Sequence, residues 1–474
     1  MLSKQTVRKA AIVSTLLAIV SNVFIFTFPS IHPTRCSWHC SSSSTTGETV
    51  APEALALWEK ALFYAKRYVS DVVYQTLQAE EATDEGDIHM MAFGDPQIKG
   101  IWPNTPYRSR LDIFGNDHFL GHIYSTMSKR LHPDYVVVMG DLFSSQWIGD
   151  SEFYNRTRRY VSRLFHRDTT PLEAIQRENH DEDGLYKVDW DAWGKQFERE
   201  AQNNTFQFGF QDIHSWDPQR DEFLMVNLTG NHDVGYSGDA TYQHLARFQQ
   251  IFGKDNYWIE YNAGTDKAWR IVVLNDLLLE GPALQPEFVQ YTWEFLYQLF
   301  ERNFDGSTVL LTHIPFHKEE GLCYDGPELR YYPEVFEREP YKANLLRSQN
   351  HISEEVTNKV FNLVFSNDKP GIVLVGHDHE GCEVVYNRFN DQGEWVAAKD
   401  TVEGADYHLK EVTVRSMMGE FNGNTGLLTG HFNTNQKQWE WTFTLCPFAI
   451  QHAWWFAKAA ALVAGFVWSL YIVL

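Results

Sequence analysis

An α/β core held between two membrane-spanning helices is the architecture this sequence predicts. Three observations predict it. From Asp87 onward, apolar runs of about five residues alternate with stretches of helical periodicity, the pattern of buried strands whose sheet is covered by helices. Each of those runs leads into small and polar residues able to bind a cation. A long apolar stretch also lies near each end of the chain.

The first stretch, residues 10–28, is aliphatic or aromatic except for Ser14, Thr15, Ser21, Asn22 and Thr27, and Lys4, Arg8 and Lys9 precede it. As a helix it reaches roughly 28 Å, close to the thickness of a bilayer's hydrocarbon. A cleaved signal peptide carries a shorter apolar region, so residues 10–29 read as an uncleaved anchor. The basic flank keeps residues 1–9 in the cytosol, and the chain beyond the anchor is exported. Residues 30–86 read as an exported tether and stalk: residues 36–49 are rich in Ser and Thr, and residues 52–78 have helical spacing through Leu55, Trp58, Leu62, Ala65 and Val69. The second stretch, residues 454–474, is interrupted only by Lys458 and Ser469 and has no amphipathic period, so it reads as a second span. Asn155, Asn203 and Asn227 each open an Asn-x-Ser/Thr triplet, as an exported body permits. Asn227 lies on an expected core strand, where a glycan would not fit.

Between the spans, residues 87–450 form the expected catalytic body. Residues 88–93 lead into Asp95 and Gln97, residues 135–139 into Asp141, and residues 223–228 into Asn231, His232 and Asp233. Residues 309–311 lead into His313, and residues 372–375 into His377 and His379. Helices are expected over residues 115–131, 240–252, 285–304 and 353–365, with further strands at 269–274, 412–416, 425–432 and 439–445. Residues 142–220 break this rhythm. They read as an inserted cap or subdomain, whose Trp147, Trp190, Trp193 and Trp216 are candidates for stacking on sugar faces.

Composition narrows the function. With 43% hydrophobic and 15% aromatic residues the chain has ample material for a folded core. Its net charge of −22 excludes a general nucleic-acid binder. An anionic substrate would need local positive charge, for which bound metal is the natural source. Five cysteines are too few for a disulfide scaffold, and the odd number leaves one without a partner in the chain. Cys323 follows the His313 strand and Cys382 follows His379, so these two are expected to pair. Cys36 and Cys40 are expected to pair with each other or with a partner chain.

Gly94-Asp95, Gly140-Asp141, Gly230-Asn231-His232-Asp233, Thr312-His313 and Gly376-His377-Asp378-His379, in this order and at these intervals, resemble the calcineurin-like metallophosphoesterases over about residues 87–445. The resemblance implies a four-layer α-β-β-α sandwich that binds two divalent metals. Asp95, Gln97, Asp141 and His379 would surround one metal, with Asp141 bridging to a second held by Asn231, His313 and His377. His232 would be the catalytic histidine, held by Asp233. The sequence departs from the family pattern at Gln97, where histidine is usual, and at Ser144. Gln for neutral His leaves the site's charge unchanged and offers a harder donor, which favours manganese or magnesium over zinc.

Asp95-Pro96-Gln97, the flanking spans and the segments 414–419 and 423–426 are similar to one branch of that family. Its members are endoplasmic-reticulum phosphoesterases that remove ethanolamine phosphate from a mannose of glycosylphosphatidylinositol (GPI) anchors. That resemblance implies Mn²⁺ as metal, GPI-anchored proteins as substrate, cargo-export receptors as partners and a catalytic domain on the lumenal side of the endoplasmic-reticulum membrane. Two other readings stay open. One is a phosphodiesterase acting on an exported nucleotide or lipid headgroup. The other is a non-catalytic export factor with a relict metal site.

Overall fold

The computed structural model describes residues 3–32, 34–38, 59, 62, 86–180, 187–213, 216–217, 219–389 and 393–474. Cys40 and the expected stalk helix at 52–78 lie outside them, apart from Glu59 and Leu62. In chain order the elements are α1 (Lys4–Thr27), β1 (Ile88–Phe93), α2 (Tyr107–Leu131), β2 (Tyr135–Val138), α3 (Asp150–Arg159), α4 (Thr170–Asn179) and α5 (Trp190–Asn203). They continue as β3 (Leu224–Asn227), α6 (Tyr242–Phe252), β4 (Tyr257–Tyr261), β5 (Trp269–Val273), α7 (Pro286–Glu301), β6 (Ser307–Leu311), β7 (Leu329–Tyr331), β8 (Leu346–Gln349) and α8 (Glu354–Val364). The last are β9 (Gly371–Val375), β10 (Cys382–Phe389), β11 (Glu394–Ala398), β12 (Tyr407–Thr413), β13 (Asn424–Asn433), β14 (Gln438–Pro447) and α9 (Gln451–Val473).

Two sheets form, ordered β14-β13-β1-β2-β3 and β11-β10-β12-β9-β6-β5-β4, beside a small β7-β8 hairpin. Side chains alternate along a strand. One set, including Met90, Ala92, Val137, Val226, Ile271, Val309, Leu311, Ile372 and Leu374, is buried between the sheets. The other set, including Met91, Phe93, Val136, Val138, Val272, Leu310, Val373 and Val375, packs outward with the helices. Both faces of each central strand are therefore dry, which is why the runs are continuously apolar rather than alternating. Tyr124 of α2 meets Phe93 at 6.0 Å between ring centroids on one side, and Arg270 of β5 reaches the Val364 carbonyl of α8 at 3.0 Å on the other. The expected four-layer sandwich is present. β1, β2 and β3 run parallel, as do β5, β6, β9 and β12, so the carboxyl ends of the strands that carry the motifs share one edge.

Sequence periodicity misses β4, β7, β8, β10 and β11, most of whose positions are half-buried or exposed. It also starts α2 eight residues late, because Tyr107, Leu111 and Phe114 turn outward and give no inward stripe. The insertion is helical, comprising α3, a π-helical turn at Tyr160–Leu164, α4 and α5. Most of its aromatic rings pack rather than wait for a ligand: Trp193 stacks on Phe197 at 5.2 Å, and Trp190 donates to Asp150 at 3.0 Å. Trp147 alone of the four tryptophans is largely exposed, and Lys342 sits over its ring at 4.3 Å. Asn227 is buried and accepts a hydrogen bond from the Tyr160 hydroxyl, which agrees with its expected lack of a glycan.

α1 and α9 start a little before the expected spans, and both are long and apolar enough to cross a membrane. They pack on each other through a seam of Ala18, Ala460 and Ala464, small residues that let two helices approach closely. Asn22 donates to the Ala457 carbonyl at 3.2 Å and Trp468 to the Thr15 hydroxyl at 2.8 Å across it. Cys323 and Cys382 are joined, as expected. The expectation for Cys36 is corrected: it pairs with Cys446. The chain folds back after α1, with the Cys36 N–H bonded to the His32 carbonyl, and Trp38 donates to the Leu131 carbonyl. That return brings Cys36 to the end of β14, just ahead of α9, a proximity that sequence spacing does not reveal. Mass spectrometry of unreduced peptides should find Cys36 linked to Cys446 and Cys323 to Cys382; a Cys36–Cys40 peptide would contradict the first link.

Candidate metal centre

Tight turns at the carboxyl ends of five strands bring the motif side chains together. After β1, Asp95 (φ 37°) and Gln97 (φ 40°) take the left-handed conformation, as do Asp141 (φ 48°) after β2 and His377 (φ 70°) after β9. Such backbone costs of order 1–3 kcal/mol per non-glycine residue, and it persists where the surroundings over-determine it. The preceding glycines allow the approach. A Cβ on Gly230 would lie 2.1 Å from the Asp141 nitrogen, and one on Gly376 would lie 2.6 Å from the Met139 carbonyl.

Six of the seven expected metal ligands line one hollow as donors. His379 Nε2 lies 3.9 Å from Asp95 Oδ2, and Asp95, Asp141 and His379 each place one donor atom within 4.8 Å of the others. On the far side of Asp141, His313 Nε2 is 3.6 Å from its Oδ1 and 3.1 Å from Asn231 Oδ1. His377 Nδ1 is also 3.1 Å from Asn231 Oδ1. Gln97 belongs to the hollow but differs from expectation. Its amide Nε2 faces Asp141 Oδ2 at 2.9 Å and His379 Nε2 at 3.2 Å, so it braces two neighbours instead of offering an oxygen.

The hollow is electrostatically unbalanced. Asp95 and Asp141 are almost wholly buried, yet among the described residues no lysine or arginine pairs with any of the seven side chains. Burial, then the neighbouring Asp141 carboxylate, push Asp95 well above the usual carboxylate range. Burial would raise Asp141 too, but His313, His232 and the His232 N–H draw it down. Burial lowers His313 and His379, and with His313 nearby it takes His377 to about 3. The three imidazoles are therefore neutral, the form that binds metal. His313 Nδ1 faces the Met139 carbonyl at 2.7 Å; a carbonyl only accepts, so the proton sits on Nδ1 and the Nε2 lone pair points into the hollow. Asp95 Oδ1 is buried with no hydrogen-bond partner. An orphaned carboxylate oxygen, a second carboxylate beside it and neutral imidazole lone pairs are a donor set that fits divalent cations.

His232 stands at the rim, its ring 39% exposed and its Nε2 3.8 Å from Asp141 Oδ2. The expected role of Asp233 is corrected. Its carboxylate accepts the backbone N–H groups of Leu142, Phe143 and Gly230 at 2.9–3.1 Å, so it fastens the β2 and β3 turns together and does not hold the His232 imidazole. Two contributors escaped sequence reasoning. Asp276 accepts the N–H groups of His313 and Ile314 and so sets the His313 turn; burial raises its carboxyl to about 7. A polar residue just past β5 was the available signal. Phe421 packs edge-on against His379 at 4.9 Å, and nothing in its sequence context marks it.

No protein-family model matches the chain. It is 60% identical to Protein TED1 of Saccharomyces cerevisiae over 475 residues, which is 98% of each chain. It is 26% identical to Metallophosphoesterase 1 of Danio rerio over 188 residues, 35% of this chain and 44% of that one. A solved 5'-nucleotidase precursor from Thermus thermophilus is 12% identical, with a TM-score of 0.29 over 80% of this chain and 58% of its own, a likeness on which nothing is built. Gly230→Ala should displace Asp141 and strip bound metal while circular dichroism stays native; elemental analysis showing undiminished metal in the variant would contradict this packing.

Proposed function

The chain belongs to the same family as Protein TED1, and on that premise we propose that it is a metal-dependent phosphoesterase of the endoplasmic-reticulum lumen. Its substrate is the ethanolamine phosphate on a mannose of the GPI-anchor glycan, whose removal promotes exit of the anchored protein through cargo-export receptors. One observation carries the catalytic part of this reading: two buried carboxylates, one with an orphaned oxygen, are ringed by imidazoles and an amide at a shared sheet edge. A scaffold that bound no metal would gain nothing from burying that pair, which costs several kcal/mol per uncompensated charge.

In this reading Asp95, Asp141 and His379 would hold one cation, and Asp141, Asn231, His313 and His377 would hold a second. Divalent ions held there would supply positive charge against phosphoryl oxygens and lower the pKa of a bound water. Three oxygen donors and three imidazole nitrogens without thiolate are compatible with manganese. The chain's own residues do the rest. Gln97 donates to Asp141 Oδ2 and fixes that carboxylate's plane. His232, anchored by its N–H on Asp141 Oδ1 at 2.9 Å with its imidazole exposed, is placed to protonate the departing mannose oxygen. The net charge of −22 does not repel a group that carries an ethanolammonium. Anchoring through α1 and α9 keeps the site near a lipid-linked glycan and raises its effective concentration.

Purified full-length protein with Mn²⁺ should release ethanolamine phosphate from GPI glycans and leave nucleotide and lipid-headgroup phosphodiesters intact; the reverse preference would refute this substrate. His232→Ala should keep its metal and lose turnover by about 10²–10⁴-fold. Full activity in that variant would remove His232 from the chemistry, and metal-free native protein would favour a non-catalytic export role.

A further inference from the structure

α2 runs past the ends of both terminal helices. Gly115 packs so tightly on Trp455 of α9 that a Cβ there would lie 1.7 Å from the indole. His122 meets the end of α1, its Nε2 3.3 Å from the Ile25 carbonyl and its ring 4.5 Å from that of Phe26. Arg130 reaches the Ser30 hydroxyl at 2.7 Å. At helical spacing, Tyr107, Leu111, Phe114, His118 and His122 fall on one face. The face that touches the membrane helices at His122 thus continues toward the start of α2 as an apolar stripe. There its protein cover is partial: Tyr107 is 84% exposed, Leu111 49% and Phe114 47%, with the Arg163 guanidinium 5.9 Å from the Phe114 ring.

The preceding loop adds Trp102, 45% exposed, and it is held firmly. Arg110 donates to the carbonyls of Trp102, Pro103 and Thr105 at 2.7–2.9 Å, and the Trp102 N–H donates to the Thr105 hydroxyl at 2.8 Å. Tryptophan and tyrosine flanking aliphatic and aromatic neighbours match the headgroup boundary of a bilayer. An exposed apolar patch of this kind beside the ends of spanning helices suits contact with lipid.

We propose that Trp102, Tyr107, Leu111 and Phe114 form an interfacial patch that sinks into the leaflet from which α1 and α9 emerge and seats the metal centre's rim on the membrane surface. The loop bearing Trp102 starts just after Gln97. Beside that loop, where Lys99 pairs with Glu420 at 3.4 Å, Phe421 packs on His379, and Gly419 is so close to Gln451 of α9 that a Cβ would lie 2.2 Å from its amide oxygen. The Gln97 and His379 side of the hollow is therefore bounded by two adjoining segments that the proposal fixes at the bilayer. This inference rests on the reading of α1 and α9 as membrane spans.

Full-length protein carrying Cys40→Ser is reconstituted in phosphatidylcholine vesicles, and a nitroxide is attached singly at Leu111→Cys, Phe114→Cys, Val463→Cys or Lys437→Cys. Val463 lies on the exposed side of α9, and Lys437 lies at the tip of the β13–β14 hairpin, roughly 33 Å from α9 along strands of ten residues. Labels at 111 and 114 should collide with oxygen more than with a water-soluble nickel chelate, as the label at 463 does, and the label at 437 should show the opposite order. Labels at 111 and 114 that behave like 437 while 463 stays in lipid would overturn the patch and leave the spans standing. A water-exposed label at 463 would overturn both.

Discussion

Two aspartates forced side by side out of water set the terms for the rest of the molecule. Asp95 and Asp141 sit where the two sheets meet, at the ends of neighbouring parallel strands. Unpaired, such charges oppose folding by several kcal/mol each, and left-handed backbone at both residues adds to the cost. The fold accepts this because the neighbours over-determine it. Asp233 ties the β2 and β3 turns together, Asp276 sets the His313 turn from behind, and glycines remove every Cβ that would push the turns apart. What emerges is a rigid cup of lone pairs lacking only positive charge. Among the described residues no lysine or arginine pairs with these side chains, and the donor set fits divalent cations.

The second constraint is mechanical. The catalytic body is fastened to the terminal helices at several points: the Cys36–Cys446 bridge, the alanine seam between α1 and α9, and α2 lying against both helix ends. In the proposed reading, where α1 and α9 span a bilayer, these attachments would hold the metal centre in one orientation toward it, as a lipid-anchored substrate would require.

Much of this was legible in the sequence, for a physical reason. Strands buried on both faces leave an unbroken apolar run, and the glycine-plus-donor groups after Phe93, Met139, Leu228 and Val375 stand out because tight turns and metal-binding side chains are each restrictive. Less legible were features defined by distant partners. Asp233 looks like a histidine's companion by adjacency, yet its carboxylate meets backbone from another strand. Gln97 looks like a ligand by position, yet its amide turns its nitrogen inward. Cys36 lies 410 residues from Cys446, and only the return of the chain after α1 brings them together. The edge strand β11 and its neighbour β10 were hidden because half-exposed faces carry polar residues.

The paired cations are tested most directly by anomalous diffraction from crystals of the full-length protein grown with manganese. Two peaks are expected in the hollow, one among Asp95, Asp141 and His379 and one among Asp141, Asn231, His313 and His377. Density for ordered metal elsewhere on the molecule, with none between these side chains, would contradict the account at its root.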